Sequence, residues 1–261
     1  MTAAVTEAVH FGLVELDLLA AHAGTAFPFP LRIPSFGRID GEREVLLGTA
    51  GATLEASGLA DENGPTGIAA DVVAALRHRR GTVDLVVADG DQTIAAVAMV
   101  CRSWALICRQ RLDDELTGMV RVWRVPEAML ADELFALVPE CPAARSMPIT
   151  LPAYAVDAAA GLADDNDREH ERRLRALVRD CGGDPAVLDQ LAGLLSTVIG
   201  RGQVGATRGS ARIGAELSWL DGPRGRVRIN RATGWVSVNP LRHNDLRLAL
   251  SELAMASRGP R

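Results

Sequence analysis

The sequence predicts an α+β protein in which helices pack against an antiparallel sheet. The clearest evidence lies between residues 202 and 240. In one part of this region apolar residues occupy every second position: Ala211, Ile213, Ala215, Leu217 and Trp219. Polar residues or glycine fill the positions between them, so one face is expected to be dry and the other wet, as in a half-buried strand. Turn residues interrupt the pattern at Gly209, residues 221–223 and Gly234, and the region therefore predicts a four-stranded meander.

The second observation is that the two halves of the chain share an order of elements. Each half has a proline-containing extended segment, two helices, four strands, a proline and a closing leucine-rich helix. This order predicts a pseudo-twofold repeat, with one half over residues 1–145 and the other over residues 146–261. The two halves are expected to form one compact unit.

In the first half, apolar residues at helical spacing predict a helix over residues 13–23. The prolines of residues 27–34 favour an extended chain, because each disfavours helix in the residue before it. Asp40 is expected to cap a helix that reaches about Ala56. The elements predicted after it are a helix at residues 68–79, strands at 83–87, 94–100, 104–109 and 117–125, and a closing helix at 130–138. The near-continuous apolar runs at 94–100 and 104–109 are also compatible with helix.

The second half begins with a proline-rich segment, residues 140–152, which is interpreted as a connector. Apolar residues at 174–178 mark a helix. Asp184 before Pro185 is a strong start signal for the next helix, which is expected to run to Gly200. The meander follows, and a last helix is predicted over residues 241–255.

Composition limits the classes of partner and compartment. There are 28 basic and 33 acidic residues, giving a net charge of −5, which argues against nucleic acid as a partner. The N-terminal segment carries Glu7, Glu15 and Asp17 through its apolar part, so neither a signal peptide nor membrane insertion is predicted. The four cysteines are scattered without a CxxC pair, which is typical of reduced thiols in the cytoplasm.

No residue pattern indicates catalysis, a metal site or a cofactor. Residues 200–205 match GxGxxG, but a helix is predicted before them and a strand after them, the reverse of a dinucleotide site. Asp89 and Asp91 lack a third acidic ligand at EF-hand spacing and are interpreted as a hairpin turn. The five histidines form no HExxH pattern. We therefore expect no cofactor and no enzymatic activity.

The helix before the meander carries an apolar stripe, formed by Val187, Leu188, Leu191, Leu194, Leu195 and Val198. A core-facing helix normally shows such a stripe. The groove of a chaperone would show the same pattern, so both interpretations stay open here. Arg226 and Arg228 are interpreted as surface residues, with a binding interface as the second interpretation.

Several short motifs occur together in the order and spacing of one known family. They are residues 31–34, Gly37, residues 58–59, the closing segment 125–139, residues 149–153, 202–205, 219–221 and 225–226, and residues 234–240. Together they resemble the EspG proteins of mycobacterial-type ESX, or type VII, secretion over nearly the whole chain.

The resemblance implies a cytosolic chaperone that binds a PE–PPE heterodimer through the hydrophobic tip of the PPE protein, keeps the pair soluble and directs it to an ESX system. It also implies a central antiparallel sheet with two helical bundles. Whether the free protein forms a homodimer stays open. The expected partner-binding residues are Leu191, Leu194, Leu195, Val198, Ile213, Ala215, Leu217, Arg102 and Ser103. The alternative is a small-molecule-binding or enzymatic α+β domain whose site is assembled between the halves.

Overall fold

The computed structural model describes residues 7–37, 39, 41–113, 118–146, 148–161, 168–180 and 184–259. The elements up to Phe135 are β1 (Val9–Phe11), α1 (Leu13–Ala23), α2 (Glu42–Ala56), β2 (Ala60–Asp61), β3 (Gly64–Pro65), α3 (Gly67–His78), β4 (Gly81–Asp89), β5 (Gln92–Val100), β6 (Trp104–Arg111), β7 (Val120–Pro126) and α4 (Leu130–Phe135). Those that follow are β8 (Ile149–Pro152), α5 (Ala153–Gly161), α6 (Arg168–Asp180), α7 (Ala186–Leu195), β9 (Gly200–Arg208), β10 (Ala211–Asp221), β11 (Val227–Ala232), β12 (Trp235–Pro240) and α8 (His243–Arg258).

Ten strands form one sheet in the order β1-β7-β6-β5-β4-β9-β10-β11-β12-β8. The strands from β4 to β7 form an antiparallel meander, and β11 pairs antiparallel with both β10 and β12. The edge strands are β1, which pairs with β7, and β8, which pairs with β12. The α+β class and the large antiparallel sheet predicted from the sequence are therefore confirmed. Each meander has one added strand beside its last strand, an order that a repeat would produce, and the pseudo-twofold repeat itself stays a prediction.

By its contacts the chain divides into two compact units. Unit 1 comprises residues 1–138, 203–216 and 247–261, and unit 2 comprises residues 139–202 and 217–246. The boundary predicted after residue 145 therefore falls inside unit 2. No helix in the described part of the chain is long and apolar enough to cross a membrane.

The first core of unit 1 lies between α1, α2 and α3 and one face of the strands β5 to β7. A buried carboxylate fixes the extended segment before α2. Asp17 of α1 accepts hydrogen bonds from the Arg43 guanidinium at 2.7 and 3.2 Å and from the Phe36 backbone N–H at 2.8 Å. Gln110 and Arg32 exchange two further side-chain to backbone bonds, at 2.7 and 3.0 Å. These contacts explain how a proline-rich stretch without regular structure is held in place.

A second buried charge in unit 1 joins β4 to β10. The Asp84 carboxylate is 3% exposed and accepts hydrogen bonds from the Arg212 guanidinium, one of them 3.0 Å long to Oδ2. Arg212 also donates to Glu216 at 2.7 Å. The pKa of Arg212 is raised, first by the hydrogen bond to Asp84, so this cation is permanent. The sequence pattern had assigned Arg212 to a wet face, where no such pair is expected.

The core of unit 2 is aliphatic and lies beside the strands β8, β11 and β12. Its buried residues are Ala144, Ile149, Leu151, Ala155, Val178, Leu191, Val227 and Val238. Leu191 comes from α7 and Val178 from α6, so both helices contribute to this core. Arg231 of β11 donates a hydrogen bond to Asp157 of α5, which lowers the pKa of that carboxyl. Among the described side chains, α5, α6 and α7 thus contact the strands of unit 2 through apolar residues, and α5 also does so through this exposed ion pair.

The predicted dry face of β10 is wrong in its first half. Leu217 and Trp219 are buried as predicted, but Ala211 and Ala215 are exposed and Ile213 is only half-buried. Gly214 has a left-handed backbone with φ of +68°, which interrupts the regular extended geometry that strict alternation requires. Alternation therefore predicts burial correctly only towards the end of the strand, at Leu217 and Trp219.

Other differences concern short elements and the ends of helices. The connector predicted at residues 140–152 contains β8, and neither β1 nor α5 was predicted. The closing helix of the first half ends at Phe135, and α7 ends at Leu195, short of the predicted Gly200. Asp40, predicted as a cap, lies outside the described residues, and α2 begins after Gly41. Arg226, interpreted as a surface residue, is 4% exposed.

Candidate functional site

The helix α7 carries three of the residues expected to bind a partner, Leu191, Leu194 and Leu195, and Val198 lies just beyond its end. Asp184 accepts a hydrogen bond from the Ala186 N–H at 2.9 Å, and the helix begins at Ala186, directly after Pro185, so a helix start at this place is confirmed. Leu191 lies in the core of unit 2, with 8% of its surface exposed. Leu194 is half-buried against the same core, and Leu195 is 51% exposed. One helix thus combines a core contact with an apolar side chain in solvent.

An apolar cleft of about 240 Å³ lies within unit 2, at the C-terminal end of α7. Its apolar walls are formed by Ile149, Leu194, Val198, Leu220 and Val227. Only Leu194 and Val198 were singled out from the sequence. The other three come from β8, β10 and β11, and no local pattern distinguishes them from ordinary strand residues. The cleft is therefore a product of the tertiary fold.

A buried ion pair shapes one wall of the cleft. The Arg226 guanidinium donates to Asp221 through Nε at 2.6 Å and through Nη2 at 2.7 Å. Arg226 also donates to the Pro139 carbonyl at 2.9 Å, and its Cζ lies 5.4 Å from the centre of the Trp219 ring. Both partners are buried, which satisfies the condition for burying charge, namely that each charge is paired and hydrogen-bonded.

The turn between β10 and β11 packs tightly against the segment before β8. The Arg226 N–H donates to the Pro142 carbonyl at 2.7 Å, and the Ala144 N–H donates to the Arg226 carbonyl at 3.0 Å. Gly225 has φ of +105°, and a Cβ there would lie 2.7 Å from both Ala144 N and Pro142 O. Only glycine fits this approach, so the wall has a defined backbone position.

Two arginines lie at the cleft in addition to its apolar walls. Arg145 and Arg224 are exposed and both line it. The Nη2 atom of Arg224 lies 3.7 Å from the position that a Cβ would take at Gly193 of α7, so this guanidinium lies against the helix. The five apolar residues named above are called the apolar floor of the cleft, and the two cationic groups lie at its margin.

The remaining residues expected to bind a partner lie elsewhere in the fold. Arg102 and Ser103 form the exposed turn between β5 and β6 in unit 1. Ile213 is half-buried and Ala215 is exposed, both on the part of β10 that belongs to unit 1. Leu217 is 1% exposed and packs inside unit 2. The expectation that these residues contact a partner stays a prediction.

The other patterns considered from the sequence have structural places. Residues 200–205, which match GxGxxG, lie within β9. Asp89 and Asp91 flank Gly90 in the turn between β4 and β5. In the described ranges, no group of three or more His, Cys, Asp or Glu side chains could hold a metal ion.

Comparison with protein-family models gives a match to the EspG family over residues 13–252. No curated protein matches the chain. Among solved structures, the chain is similar to the Mycobacterium tuberculosis type VII secretion system chaperone EspG5, solved in complex with a PE25–PPE41 dimer. The sequence identity is 14%, 95% of each chain is covered and the TM-score is 0.67, so this likeness establishes the fold. HtdX of the same organism matches at 12% identity over 91% of this chain and 99% of its own, but its TM-score of 0.14 does not indicate a shared fold.

Proposed function

Because the chain belongs to the EspG family, we propose that it is a cytosolic chaperone that binds a PE–PPE heterodimer through the hydrophobic tip of the PPE protein. EspG is a family of chaperones rather than enzymes. The proposed role is to keep the heterodimer soluble and direct it to a type VII secretion system. The similar fold of EspG5, solved in complex with a PE25–PPE41 dimer, supports this class of partner.

The observation that supports the proposal is the apolar cleft of unit 2 together with the exposed Leu195, which follows the cleft residue Leu194 in the chain. An exposed apolar surface of this kind marks a site of interaction with another protein. A cavity of roughly 150 Å³ holds a benzene-sized group, so the 240 Å³ of the cleft admits one or two bulky side chains of a partner. Pockets for small molecules usually measure about 300–1,000 Å³, so the size favours a protein side chain over a cofactor or substrate.

The energetics fit a chaperone that must later release its partner. Burying one Leu or Phe side chain contributes about 1.5–3 kcal/mol, which is too little to hold a protein alone. Further contacts are needed, and we propose that Ile213, Ala215, Arg102 and Ser103 contribute them. Leu191 and Leu217 are buried, and their expected contact with the partner stays a prediction. We also propose that the free protein forms a homodimer, which light scattering across a concentration series would detect.

The test is co-expression of the full chain with tagged PE–PPE pairs, including PE25–PPE41, followed by size-exclusion chromatography. We expect a stable 1:1:1 complex with at least one pair. Leu195→Asp should abolish it, while Leu248→Asp should not, because Leu248 is equally exposed but lies on α8 in unit 1. Both variants should unfold at the urea concentration of the unmodified protein, since neither side chain is in a core.

Two results would contradict the proposal at different levels. If no pair forms a complex, the chaperone function itself is wrong. If a complex forms and Leu195→Asp behaves like Leu248→Asp, the partner is correct and the surface at Leu195 is the wrong one.

A further inference from the structure

The margin of the unit 2 cleft carries positive charge that no residue of the described chain neutralises. Arg145 and Arg224 both line the cleft and are exposed, and neither forms an ion pair within the described ranges. Asp221 also lines the cleft, but both of its carboxylate oxygens are engaged by Arg226. The local charge is therefore that of two guanidinium groups.

This local charge is opposite to that of the whole molecule. The chain has a net charge of −5, and several of its other arginines are paired with carboxylates, including Arg43, Arg212, Arg226, Arg231 and Arg247. Arg145 and Arg224 differ from these paired arginines because they lie beside the apolar floor of the cleft. A group that enters the cleft will thus meet cations at the point where it loses water.

We propose that the cleft recognises an apolar side chain that is followed or preceded directly by an aspartate or glutamate in the partner protein. The apolar side chain fills the space between Leu194, Val198 and Ile149, and the carboxylate accepts hydrogen bonds from Arg224, Arg145 or both. This inference rests on the proposed function, because it specifies which feature of the partner the same cleft selects.

Guanidinium chemistry explains why the anion is a carboxylate close to the apolar group. Arginine presents a planar fork of N–H donors that matches the two oxygens of a carboxylate. The Arg224 fork lies near Gly193 of α7, and Arg224 lines the same cleft as Leu194. An acidic residue beside the inserted side chain can reach this position, whereas an isolated small anion would leave the apolar floor exposed to water. Charge complementarity of this kind acts mainly on specificity and the rate of association.

The first arm of the test uses charge reversal in the full chain. Arg224→Glu and Arg145→Glu are compared with Arg242→Glu, which makes the same change of charge at an exposed residue of unit 2 away from the cleft. With a co-purified PE–PPE pair, each reversal at the cleft should raise Kd roughly three- to tenfold, since attraction is replaced by repulsion. The control should change Kd less than twofold, and the effect should shrink in high salt.

The second arm does not require a PE–PPE pair. The probes are two fluorescein-labelled peptides that contain one Phe, followed by Asp in one peptide and by Asn in the other, and binding to the full chain is measured by anisotropy. The Asp peptide should bind several-fold more tightly, and this preference should disappear in the Arg145→Glu/Arg224→Glu double variant. Competition by sodium sulfate at constant ionic strength tests the alternative occupant, a small anion. If sulfate displaces the Asp peptide completely, the cleft binds an anion without an apolar side chain and the proposal is overturned.

The outcomes separate this inference from the proposed function. If the peptides are discriminated but no PE–PPE pair binds, the recognition rule stands and the chaperone function is wrong. If a PE–PPE pair binds and the reversals at Arg145 and Arg224 behave like Arg242→Glu, the function stands and the carboxylate rule is overturned. Equal binding of the Asp and Asn peptides would overturn it as well.

Discussion

The positions of several charged side chains in this protein depend on ion pairs. The partner in such a pair is either distant in sequence or on the other side of a turn. Arg226 follows a glycine-rich turn and looks like a surface residue in the sequence, yet it is buried against Asp221 and the Trp219 ring. Arg212 is exposed but pairs with the buried Asp84, which lies on the distant strand β4. A carboxylate and a guanidinium that come together only in the tertiary fold leave no local pattern, so neither pair could be predicted.

Removal of one member of the buried pair should be strongly destabilising. Arg226→Ala leaves the Asp221 carboxylate buried without its cation, and we expect the free energy of unfolding to fall by about 3–5 kcal/mol. Urea denaturation followed by tryptophan fluorescence measures this loss. The matched control is Arg231→Ala, which breaks an exposed pair with Asp157 and should have little effect. An equal loss in the two variants would show that the Arg226 pair contributes no more than a surface contact.

The thiols should differ in reactivity according to their burial. Burial raises the pKa of Cys101 to about 11 and that of Cys108 to about 12. A thiol reacts as its thiolate, and at pH 8 the thiolate fraction of either is on the order of one in a thousand or less. In a Cys181→Ser background, a chromogenic disulfide reagent should therefore label one cysteine of the native protein, the half-buried Cys141, and three in urea. Reactivity of the two buried thiols should rise only as the pH approaches 11. Rapid labelling of two or more thiols in the native state at pH 8 would contradict this.

Strands and helices follow from the sequence where a run of alternating or apolar residues is long. The predicted strands at residues 83–87, 94–100 and 104–109 correspond to β4, β5 and β6, each somewhat longer than predicted. Strands β1 and β8 have only three and four residues, too few for an alternating pattern to be recognised. The cleft could be predicted only in part, because Leu194 and Val198 stand on a visible stripe while Ile149, Leu220 and Val227 are brought to it by the pairing of strands.

The irregular point of β10 offers a test at the level of one element. Gly214 has φ of +68°, and a Cβ there would also lie 3.3 Å from Leu253 Cδ2 of α8. Gly214→Ala should therefore lower the free energy of unfolding by about 1–2 kcal/mol, since a left-handed backbone is unfavourable for an L-residue. Gly48→Ala serves as the opposite control. Gly48 is exposed inside α2, where alanine should raise stability by about 0.5–1 kcal/mol. If Gly214→Ala is neutral, the strand can adopt a regular extended conformation at this position.

For the molecule as a whole, fold and function come from different observations. The α+β class and the antiparallel sheet follow from patterning in the sequence, and they would suit many functions. Membership of the EspG family, together with a cleft that has an apolar floor and a cationic margin, is what connects this fold to a protein partner. The composition adds a constraint, because a chain with a net charge of −5 is a poor general binder of anionic polymers. Its positive charge at the cleft is therefore expected to act locally on one partner.

A partner that binds only the folded chain must stabilise it, and the size of this effect follows from mass action. With a PE–PPE pair present at one hundred times its Kd, the free energy of unfolding should rise by about 2.7 kcal/mol. Given a dependence on urea of about 3 kcal/mol per molar, the unfolding midpoint should move upward by roughly 1 M. Pulse proteolysis resolved on a gel follows this chain separately from the partner, so the shift can be assigned to it. Leu195→Asp should have a normal midpoint alone and lose the shift, whereas Leu248→Asp should keep it. A pair that co-elutes with the chain but leaves the midpoint unchanged would have to bind the unfolded chain equally well, which is incompatible with recognition by a cleft that exists only in the folded protein.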